Sequence, residues 1–270
     1  MTEIQAIILG LVQGLTEFLP VSSSGHLVIA KSLFGIEVEN LSFEVVVHSA
    51  TVISTIVAFR KEIFSLLKGL FDFKYNSQTR YLLMICVSMI PILIVGLFFK
   101  DAVEQVFGSG LMVVGCMLLL TSLLLFVGER ISIRRQKDSS SYKAVELGYK
   151  QAFVIGLAQS VAVLPGLSRS GSTIATGLML GLDSRSVTQF SFLMVLVPIL
   201  GETFLEIVSG GLSMEVSGIS LLSLACGALS AFVSGYIACR WMIKLVQKAK
   251  LRYFSLYCIC MAILCFILDF

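Results

Sequence analysis

Two short polar stretches interrupt an otherwise apolar chain of 270 residues. The first is Ser22-Ser23-Ser24-Gly25-His26, which follows Glu17 and Pro20 at the end of an apolar segment. The second spans residues 165–173 and carries Arg169 among glycines and hydroxyl side chains. The first stretch and its surroundings carry groups that can move protons, and the second carries groups that bind anions, so they are the parts of the chain where chemistry is expected.

The acid and base candidates lie in and just after the first apolar segment. Glu17 and Gln13 are four residues apart, so they project from one helix face toward the same point. A carboxylate inside an apolar segment is costly and predicts a functional site, which the hydroxyl-rich run 22–26 just after it favours; a helix end at the headgroup level is the alternative. His26 follows three serines and can act as a general acid or base near neutral pH. His48, after Glu44 in the next apolar segment, either faces the same cavity or only packs.

Arg169 is the most informative residue of the second stretch. An arginine in a membrane segment needs an anionic partner, and its planar fork of donors suits phosphate. Its neighbours let backbone N–H groups approach an anion and add hydroxyl donors; they are Gly166, Ser168, Ser170, Gly171, Ser172 and Thr173. Helix N-termini at this point would add the attraction of their dipoles. A structural ion pair with Glu17 is the alternative, and it is compatible with a site for phosphate inside the membrane.

The elements that position these residues follow from composition. The chain is 57% hydrophobic and only 14% charged, with a mean hydropathy of +0.94, which predicts an all-α integral membrane protein. Its basic residues cluster in short connections at 60–80, 129–150 and 240–252. Such clusters mark the cytoplasmic side of a membrane far more often than a nucleic-acid site. The seven cysteines are expected to be small buried hydrophobes without a metal or disulfide role.

The apolar segments predict six crossings and two re-entrant hairpins. Segments 4–19 and 151–165 are short for a span and end in Pro, Gly and Ser, as re-entrant helices do. Six longer segments alternate with the basic connections and cross the membrane; they run over 41–59, 81–99, 111–128, 188–208, 216–238 and 253–269. If the basic connections are cytoplasmic, the two hairpins enter from opposite faces.

An internal repeat supports this topology independently of charge. A shift of 146 residues matches polar as well as apolar positions: Gln5 with Gln151, Ala6 with Ala152, Gly10 with Gly156, Leu11 with Leu157, Gln13 with Gln159, Ser22 with Ser168, Ser24 with Ser170, Gly25 with Gly171 and Gly35 with Gly181. The pattern predicts one membrane domain, 1–270, built as an inverted-topology repeat. Its halves are about 1–128 and 151–270, and a basic cytoplasmic loop, 129–150, joins them.

The two polar motifs resemble those of a known family. They are Gln13-Gly14-Leu15-Thr16-Glu17-Phe18-Leu19-Pro20-Val21-Ser22-Ser23-Ser24-Gly25-His26 and Pro165-Gly166-Leu167-Ser168-Arg169-Ser170-Gly171-Ser172-Thr173. Both closely resemble the signatures of the undecaprenyl pyrophosphate phosphatase family linked to bacitracin resistance. The resemblance runs nearly end to end and includes Phe43-Glu44-Val45-Val46 and Phe190-Ser191-Phe192.

The resemblance implies an undecaprenyl-diphosphate phosphatase, a phosphoric anhydride hydrolase of the bacterial plasma (inner) membrane. Such an enzyme removes the terminal phosphate of undecaprenyl diphosphate, which recycles the lipid carrier for peptidoglycan synthesis and confers bacitracin resistance. The family implies a divalent cation, Mg²⁺ or Ca²⁺, and six crossing helices with two re-entrant pairs. It further implies an active site toward the outer (periplasmic) side and a homodimer. Polyprenyl diphosphate and membrane lipids are the implied partners, with no nucleic acid.

The same resemblance implies a role for each matching residue. Glu17 would bind the metal or activate the nucleophile, and Arg169 would hold the diphosphate. Ser23 matches the proposed nucleophile, which either forms a phosphoenzyme or orients water, and His26 matches the proton donor to the leaving group. Gln13 stands where relatives have glutamate, so a metal at Glu17 and Gln13 would depend more on substrate phosphates. The other implied substrate-binding residues are Ser22, Ser24, Gly166, Ser168, Ser170 and Thr173.

Three alternatives to a phosphatase compete with this interpretation. A polyprenyl-phosphate transporter or flippase is the main one, because secondary transporters also use inverted repeats with broken helices. An intramembrane Ser/His protease is disfavoured, because Ser24 and His26 do not make a triad and a protease has no need of Arg169. An inactive homologue is disfavoured because Glu17, Ser23 and the other matching residues are intact.

Overall fold

The computed structural model describes residues 1–36, 41–72, 74–107, 110–138, 144–209, 218–247 and 251–269. The regular backbone within these ranges is helical, and none of it is strand. The helices are α1 (Glu3–Phe18), α2 (Ser23–Leu33), α3 (Leu41–Ala58), α4 (Arg60–Phe71), α5 (Ser77–Phe98), α6 (Lys100–Phe107), α7 (Gly110–Asp138), α8 (Tyr149–Val161), α9 (Arg169–Met179), α10 (Ser184–Ser209), α11 (Leu221–Gln247) and α12 (Leu251–Leu268). The predicted all-α class is therefore confirmed for the described residues.

Several of these helices are long and apolar enough to cross a membrane. Among the described residues the spans are Ser77–Phe98, Gly110–Arg135, Ser184–Leu205, Leu221–Met242 and Leu251–Leu268. The pair α3 and α4 adds a sixth if it is counted as one span, although the chain bends by 76° between the two helices. Large apolar side chains face outward from these spans; Leu97 and Phe98, for example, are each 76% exposed. Only lipid makes such a surface stable, so the chain is a multi-pass membrane protein.

Two pairs of shorter helices form hairpins within this bundle. α1 has 16 residues and α8 has 13, whereas a crossing helix needs about 20. Each packs against the 11-residue helix that follows it, α2 or α9. α1 ends at Phe18 because Pro20 drives the preceding Leu19 to extended backbone, with φ −75° and ψ 143°. We call α1 with α2 the first hairpin, and α8 with α9 the second hairpin.

Glycines bring each hairpin close to a spanning helix. A Cβ on Gly10 of α1 would lie 2.3 Å from the carbonyl oxygen of Gly227 on α11. A Cβ on Gly156 of α8 would lie equally close, 2.3 Å, to the carbonyl oxygen of Ser88 on α5. Small residues at such crossings let two helix backbones approach. Consequently α1 packs along α11, and α8 packs along α5.

Two connections differ from the sequence prediction. The sequence predicts a loop over 60–80, but the structure has α4 there, because exposed charges such as Lys61 alternate with apolar residues such as Phe64. That pattern suits an amphipathic helix at the headgroup layer. α7 also continues to Asp138, past the predicted segment end at 128. A helix needs no apolar side chains once it has left the lipid.

The cysteines are less buried than the sequence predicts. Cys239, Cys258 and Cys265 are buried, but three others are exposed; they are Cys86, Cys116 and Cys260. The exposed three lie on spanning helices, where the surrounding solvent is lipid. Burial in protein therefore gives a weakly polar thiol little advantage over lipid contact.

Candidate active site

The turns of the two hairpins meet at buried positions. The backbone N–H of Gly166 points to Ser24 Oγ at 3.5 Å, and Ser170 Oγ donates to the Leu19 carbonyl oxygen at 3.2 Å. The backbones touch as well, since a Cβ on Gly25 would lie 3.2 Å from the Gly166 Cα. Ser24 and Gly166, 142 positions apart in the chain, therefore line one site.

The predicted charged and polar residues converge on Glu17. Its Oε2 accepts hydrogen bonds from Gln13 Nε2 at 2.9 Å and from Ser23 Oγ at 2.5 Å. Its Oε1 accepts from Arg169 Nη2 at 3.4 Å. The Nε2 of His48 lies 3.7 Å from Oε2. The Glu17 side chain is 9% exposed, so Arg169 compensates a charge that has little access to solvent.

Two helices begin at this site. Ser22 is the N-cap of α2, and its Oγ accepts a hydrogen bond from the N–H of Gly25 at 3.2 Å. Ser168 is the N-cap of α9 in the same way, accepting from the N–H of Gly171 at 3.0 Å. The positive ends of two helix dipoles therefore lie beside Arg169, the first residue of α9. Helix N-termini arranged in this way attract anions.

The turns that present these groups have unusual backbone. Ser22 has φ 69°, a region that non-glycine residues rarely adopt and that costs of order 1–3 kcal/mol. Gly166 has φ 88°, and a Cβ there would lie 2.7 Å from the carbonyl oxygen of Val114. Only glycine fits that position. Ser22 therefore carries backbone strain just before Ser23, whereas glycine lets the chain turn before Arg169 without such strain.

The remaining predicted substrate-binding residues differ in their exposure. Arg169 is 24% exposed, and Ser24 and Ser170 are half-buried, so these three side chains are open to a ligand. Thr173 is buried, and its Oγ1 lies 2.9 Å from the Arg169 carbonyl oxygen and 2.5 Å from Ser191 Oγ. Thr173 therefore supports the first turn of α9 from behind.

His26 is held through both ring nitrogens. Its Nδ1 lies 2.7 Å from the carbonyl oxygen of Ser22, so Nδ1 must carry a hydrogen and donate it. Its Nε2 lies 2.7 Å from the hydroxyl of Tyr257 on α12. The two rings are nearly parallel, at 6°, with centroids 5.5 Å apart. His26 is 7% exposed, so its orientation is set by these two partners.

The structure places His48 beside Glu17, which favours a position at the site over a role in packing alone. Its Nδ1 lies 2.8 Å from the carbonyl oxygen of Glu44, one helical turn earlier, which leaves Nε2 directed toward Glu17. The Glu44 carboxylate is itself paired with Lys31 of α2. The first hairpin and α3 are thereby joined next to the site.

Sequence reasoning missed two residues at the site. Tyr257 reaches His26 from α12, and Thr121 Oγ1 of α7 accepts a hydrogen bond from the N–H of Ser168 at 3.0 Å. Each is a single hydroxyl in an apolar span, far along the chain from its partner. Neither residue has a local pattern that could have indicated its role.

Oxygen ligands for a hard cation are present on α1. The Gln13 side chain is fully buried, and its Oε1 has no hydrogen-bond partner in the part of the chain that the structure describes. The same amide donates to the Glu17 carboxylate. Mg²⁺ and Ca²⁺ prefer carboxylate and amide oxygens. The described residues form no cluster of three or more His, Cys, Asp or Glu side chains. Gln13 and Glu17 therefore suit a cation whose other ligands are water and phosphate.

Comparisons with known proteins cover nearly the whole chain. The sequence model of the family described as bacitracin resistance protein BacA matches residues 6–264. An undecaprenyl-diphosphatase of Parabacteroides distasonis is 58% identical over 260 residues, which are 96% of this chain and 95% of that protein. A protein of the same name from Bacteroides thetaiotaomicron is also 58% identical, covering 96% of both chains. One from Carboxydothermus hydrogenoformans is 37% identical, covering 95% of this chain and 94% of its own.

Proposed function

Because the chain belongs to the bacitracin resistance protein BacA family, we propose that it hydrolyses undecaprenyl diphosphate to undecaprenyl phosphate and inorganic phosphate. One observation carries the proposal: Glu17 accepts hydrogen bonds from both Ser23 and Arg169 where two helices begin. A guanidinium and helix N-termini can bind a phosphate and stabilise the charge of its transition state, and a hydroxyl bonded to a carboxylate can supply a nucleophile for phosphoryl transfer. The names of the relatives support hydrolysis of this lipid rather than transport of polyprenyl phosphates.

Arg169 and the first turns of α2 and α9 bind the diphosphate. The contact between Arg169 and Glu17 is long, at 3.4 Å, so an incoming phosphate can replace the carboxylate as the arginine's partner. Ser24 and Ser170 add hydroxyl groups at the open edge of the site. The buried members of the predicted set hold the turns in place; they are Ser22, Gly166, Ser168 and Thr173. Low dielectric in the bundle strengthens each charged contact, while the polyprenyl tail stays in lipid.

Ser23 is the nucleophile in this proposal, and Glu17 is its base. Ser23 Oγ already donates to Glu17 Oε2 at 2.5 Å, which is the arrangement of an activated hydroxyl. Glu17 takes the Ser23 proton as Oγ bonds to the terminal phosphorus and the bond from that phosphorus to the bridging oxygen breaks. His26 gives a proton to the departing undecaprenyl phosphate. Water then attacks the phosphoserine and gives a proton to His26, while Glu17 returns its proton to Ser23 Oγ as the bond from Oγ to phosphorus breaks and inorganic phosphate leaves.

Glu17 and Gln13 are the residues that would hold a divalent cation, Mg²⁺ or Ca²⁺. The buried, unpartnered Oε1 of Gln13 beside the Glu17 carboxylate supports this assignment. When bound, the cation supplies positive charge that offsets the repulsion between a diphosphate and an attacking oxygen. Gln13 contributes an oxygen without a second negative charge, so the cation depends on substrate phosphates for part of its coordination.

The proposed architecture around the site is an inverted-topology repeat of six crossing helices and two re-entrant hairpins. Its halves are 1–128 and 151–270, and residues 129–150 join them. Matching contacts in the two halves support this architecture. Gly10 and Gly156 are paired by the repeat, and each approaches a carbonyl oxygen of a spanning helix to the same degree. Ser22 and Ser168 are also paired, and each caps the second helix of its hairpin.

The protein is assigned to the bacterial plasma (inner) membrane, with its active site toward the outer, periplasmic side. The basic connections 60–80, 129–150 and 240–252 support this orientation, because they are expected on the cytoplasmic face. The apolar outer surface of the spans supports a lipid substrate that enters from the bilayer. A homodimer is assigned from the family resemblance alone.

The experiment that tests this function measures phosphate release from undecaprenyl diphosphate by detergent-purified protein, with and without a chelator. We expect release that requires a divalent cation and that falls by about 100-fold or more in Glu17→Ala, because the base is lost. Glu3→Ala is the matched control, since Glu3 is an exposed acid at the other end of the same helix. It should retain wild-type activity.

Two outcomes would contradict this proposal in whole or in part. Protein that is folded and binds the lipid, yet releases no phosphate, would exclude the hydrolase. A flipping assay in liposomes would then test the transporter. Release that is indifferent to chelator would remove the cation from the proposal and leave the hydrolase in place.

A further inference from the structure

The hydroxyl of Tyr257 contacts the proposed proton donor His26, although no step of the proposed mechanism involves this tyrosine. It lies 2.7 Å from His26 Nε2, although the two residues are 231 positions apart in the chain. The adjacent residue, Cys258, lies against the turn of the first hairpin, with its Sγ 3.8 Å from the Pro20 carbonyl oxygen. α12 therefore packs on the turn of the first hairpin, and Tyr257 is the residue that reaches His26.

The partner of the other ring nitrogen determines what Tyr257 can do. The Ser22 carbonyl oxygen only accepts hydrogen bonds, so Nδ1 carries a hydrogen whether His26 is neutral or charged. Nε2 is therefore the ring atom that gains and loses the transferable proton. A tyrosine hydroxyl can donate to a bare Nε2 and can accept from a protonated one. The protonated Nε2 shares its hydrogen between the Tyr257 hydroxyl and the departing phosphate oxygen, and the hydroxyl donates to Nε2 once that hydrogen has left. Tyr257 thus holds the ring in one orientation before and after the proton moves.

We infer that Tyr257 is a positioning residue for proton transfer by His26 to the leaving undecaprenyl phosphate. This inference rests on the function proposed above. Two fixed partners, a carbonyl oxygen in the strained N-cap of α2 and a hydroxyl on α12, leave the buried imidazole a single orientation. Tyr257 acts through His26 and makes no contribution to binding the diphosphate.

Tyr257→Phe tests the inference because it keeps the stacked ring and removes only the hydroxyl. We expect kcat to fall by about 10- to 100-fold, because proton transfer depends on precise orientation, with KM unchanged within about two-fold. Tyr149→Phe is the matched control: it is the same substitution at the exposed start of α8, where the hydroxyl contacts that of Tyr75. Wild-type kinetics in Tyr257→Phe would overturn the inference, since a residue that only packs would behave in this way.

A double-mutant cycle shows whether Tyr257 works through His26. In a His26→Ala background, Tyr257→Phe should cause no further loss of kcat, because the group that it positions is absent. Equal losses in the two backgrounds would show that Tyr257 acts independently of the histidine. That result would overturn the inference even if both single variants are impaired.

A second measurement needs no variant at position 257. The chain has only two histidines, so ¹⁵N-histidine NMR of the wild-type protein resolves His26 from His48, and His48→Gln assigns the signals. We expect a protonated Nδ1 with Nε2 in a hydrogen bond. A neutral His26 with its hydrogen on Nε2 would contradict the bond to Ser22 and overturn the inference, including when Tyr257→Phe does not fold.

The two proposals fail in different ways. Wild-type protein that releases no phosphate would overturn the phosphatase function and the role of Tyr257 together. If the wild-type protein releases phosphate and Tyr257→Phe has unchanged kinetics, only the role of Tyr257 would be overturned.

Discussion

At the scale of single residues, the ion pair between Glu17 and Arg169 is directly related to the proposed catalysis. A carboxylate inside an apolar bundle is stable only when its charge is matched, and Arg169 lies 3.4 Å from one of its oxygens. Gln13 and Ser23 donate to the other oxygen. In the proposed mechanism, a phosphate that binds Arg169 draws the guanidinium away from Glu17. The carboxylate is then free to accept the Ser23 proton.

Arg169→Lys is the residue-level prediction. Lysine keeps the positive charge but loses the planar fork, so we expect phosphate release to fall by about 100-fold or more while membrane insertion stays normal. Arg185→Lys is the matched control, because Arg185 is exposed at the start of α10. Phosphate release and membrane-fraction yield are measured for both variants. Near-normal turnover in Arg169→Lys would remove this arginine from substrate binding.

At the scale of elements, the hairpins depend on the helices that surround them. α1 and α8 are too short to cross, so their positions are set by contacts with α11 and α5. Those contacts include glycines pressed against carbonyl oxygens, where no side chain can yield to make room. The geometry at Glu17 and Arg169 is therefore a consequence of helix packing outside the site.

Gly10→Ala is the element-level prediction. The added methyl group would lie 2.3 Å from the Gly227 carbonyl oxygen, so the helices must separate, at a cost of about 1–3 kcal/mol. Gly96→Ala on α5 is the matched control, since a Cβ there meets no atom within 4 Å. It should be neutral or slightly stabilising. Thermal unfolding in detergent measures both variants, and equal midpoints would show that α1 and α11 do not pack this closely.

At the scale of the whole molecule, the charged connections and the apolar spans set the orientation in the membrane. The spans leave large apolar side chains facing outward, which fixes the bilayer as their solvent. The basic clusters are expected on the cytoplasmic face. In the proposed inverted repeat, the two hairpins open toward opposite sides of the membrane. The first opens where α1 begins and α2 ends, the second opens where α8 begins and α9 ends, and their turns meet inside.

A labelling experiment tests that orientation. Single cysteines are introduced in a background whose seven native cysteines are replaced. We expect a membrane-impermeant maleimide to label Ser32→Cys, exposed at the end of α2, in intact cells. Lys150→Cys, exposed at the start of α8, should react only after permeabilisation. Labelling of both from the same side would exclude hairpins that enter from opposite faces.

Much of the fold and of the site could be predicted from the sequence, because the relevant signals are local. Apolar length predicts spans, and the extended backbone before Pro20 predicts the end of α1. The spacing of Gln13 and Glu17 predicts their shared helix face, which their hydrogen bond confirms. α4 was not predicted, because a connection rich in charged residues has a similar composition whether it forms a loop or an amphipathic helix.

By itself, then, the sequence determined that this is a helical membrane protein with two polar turns, because hydropathy, proline and glycine act on their immediate neighbours. Only the tertiary structure decided that His26 meets Tyr257, that His48 faces Glu17 and that Thr121 supports Ser168. Each of these pairs joins different helices. Such contacts depend on how closely the helices pack and how they are rotated, which is set by side chains distributed over the whole bundle and not by any one segment.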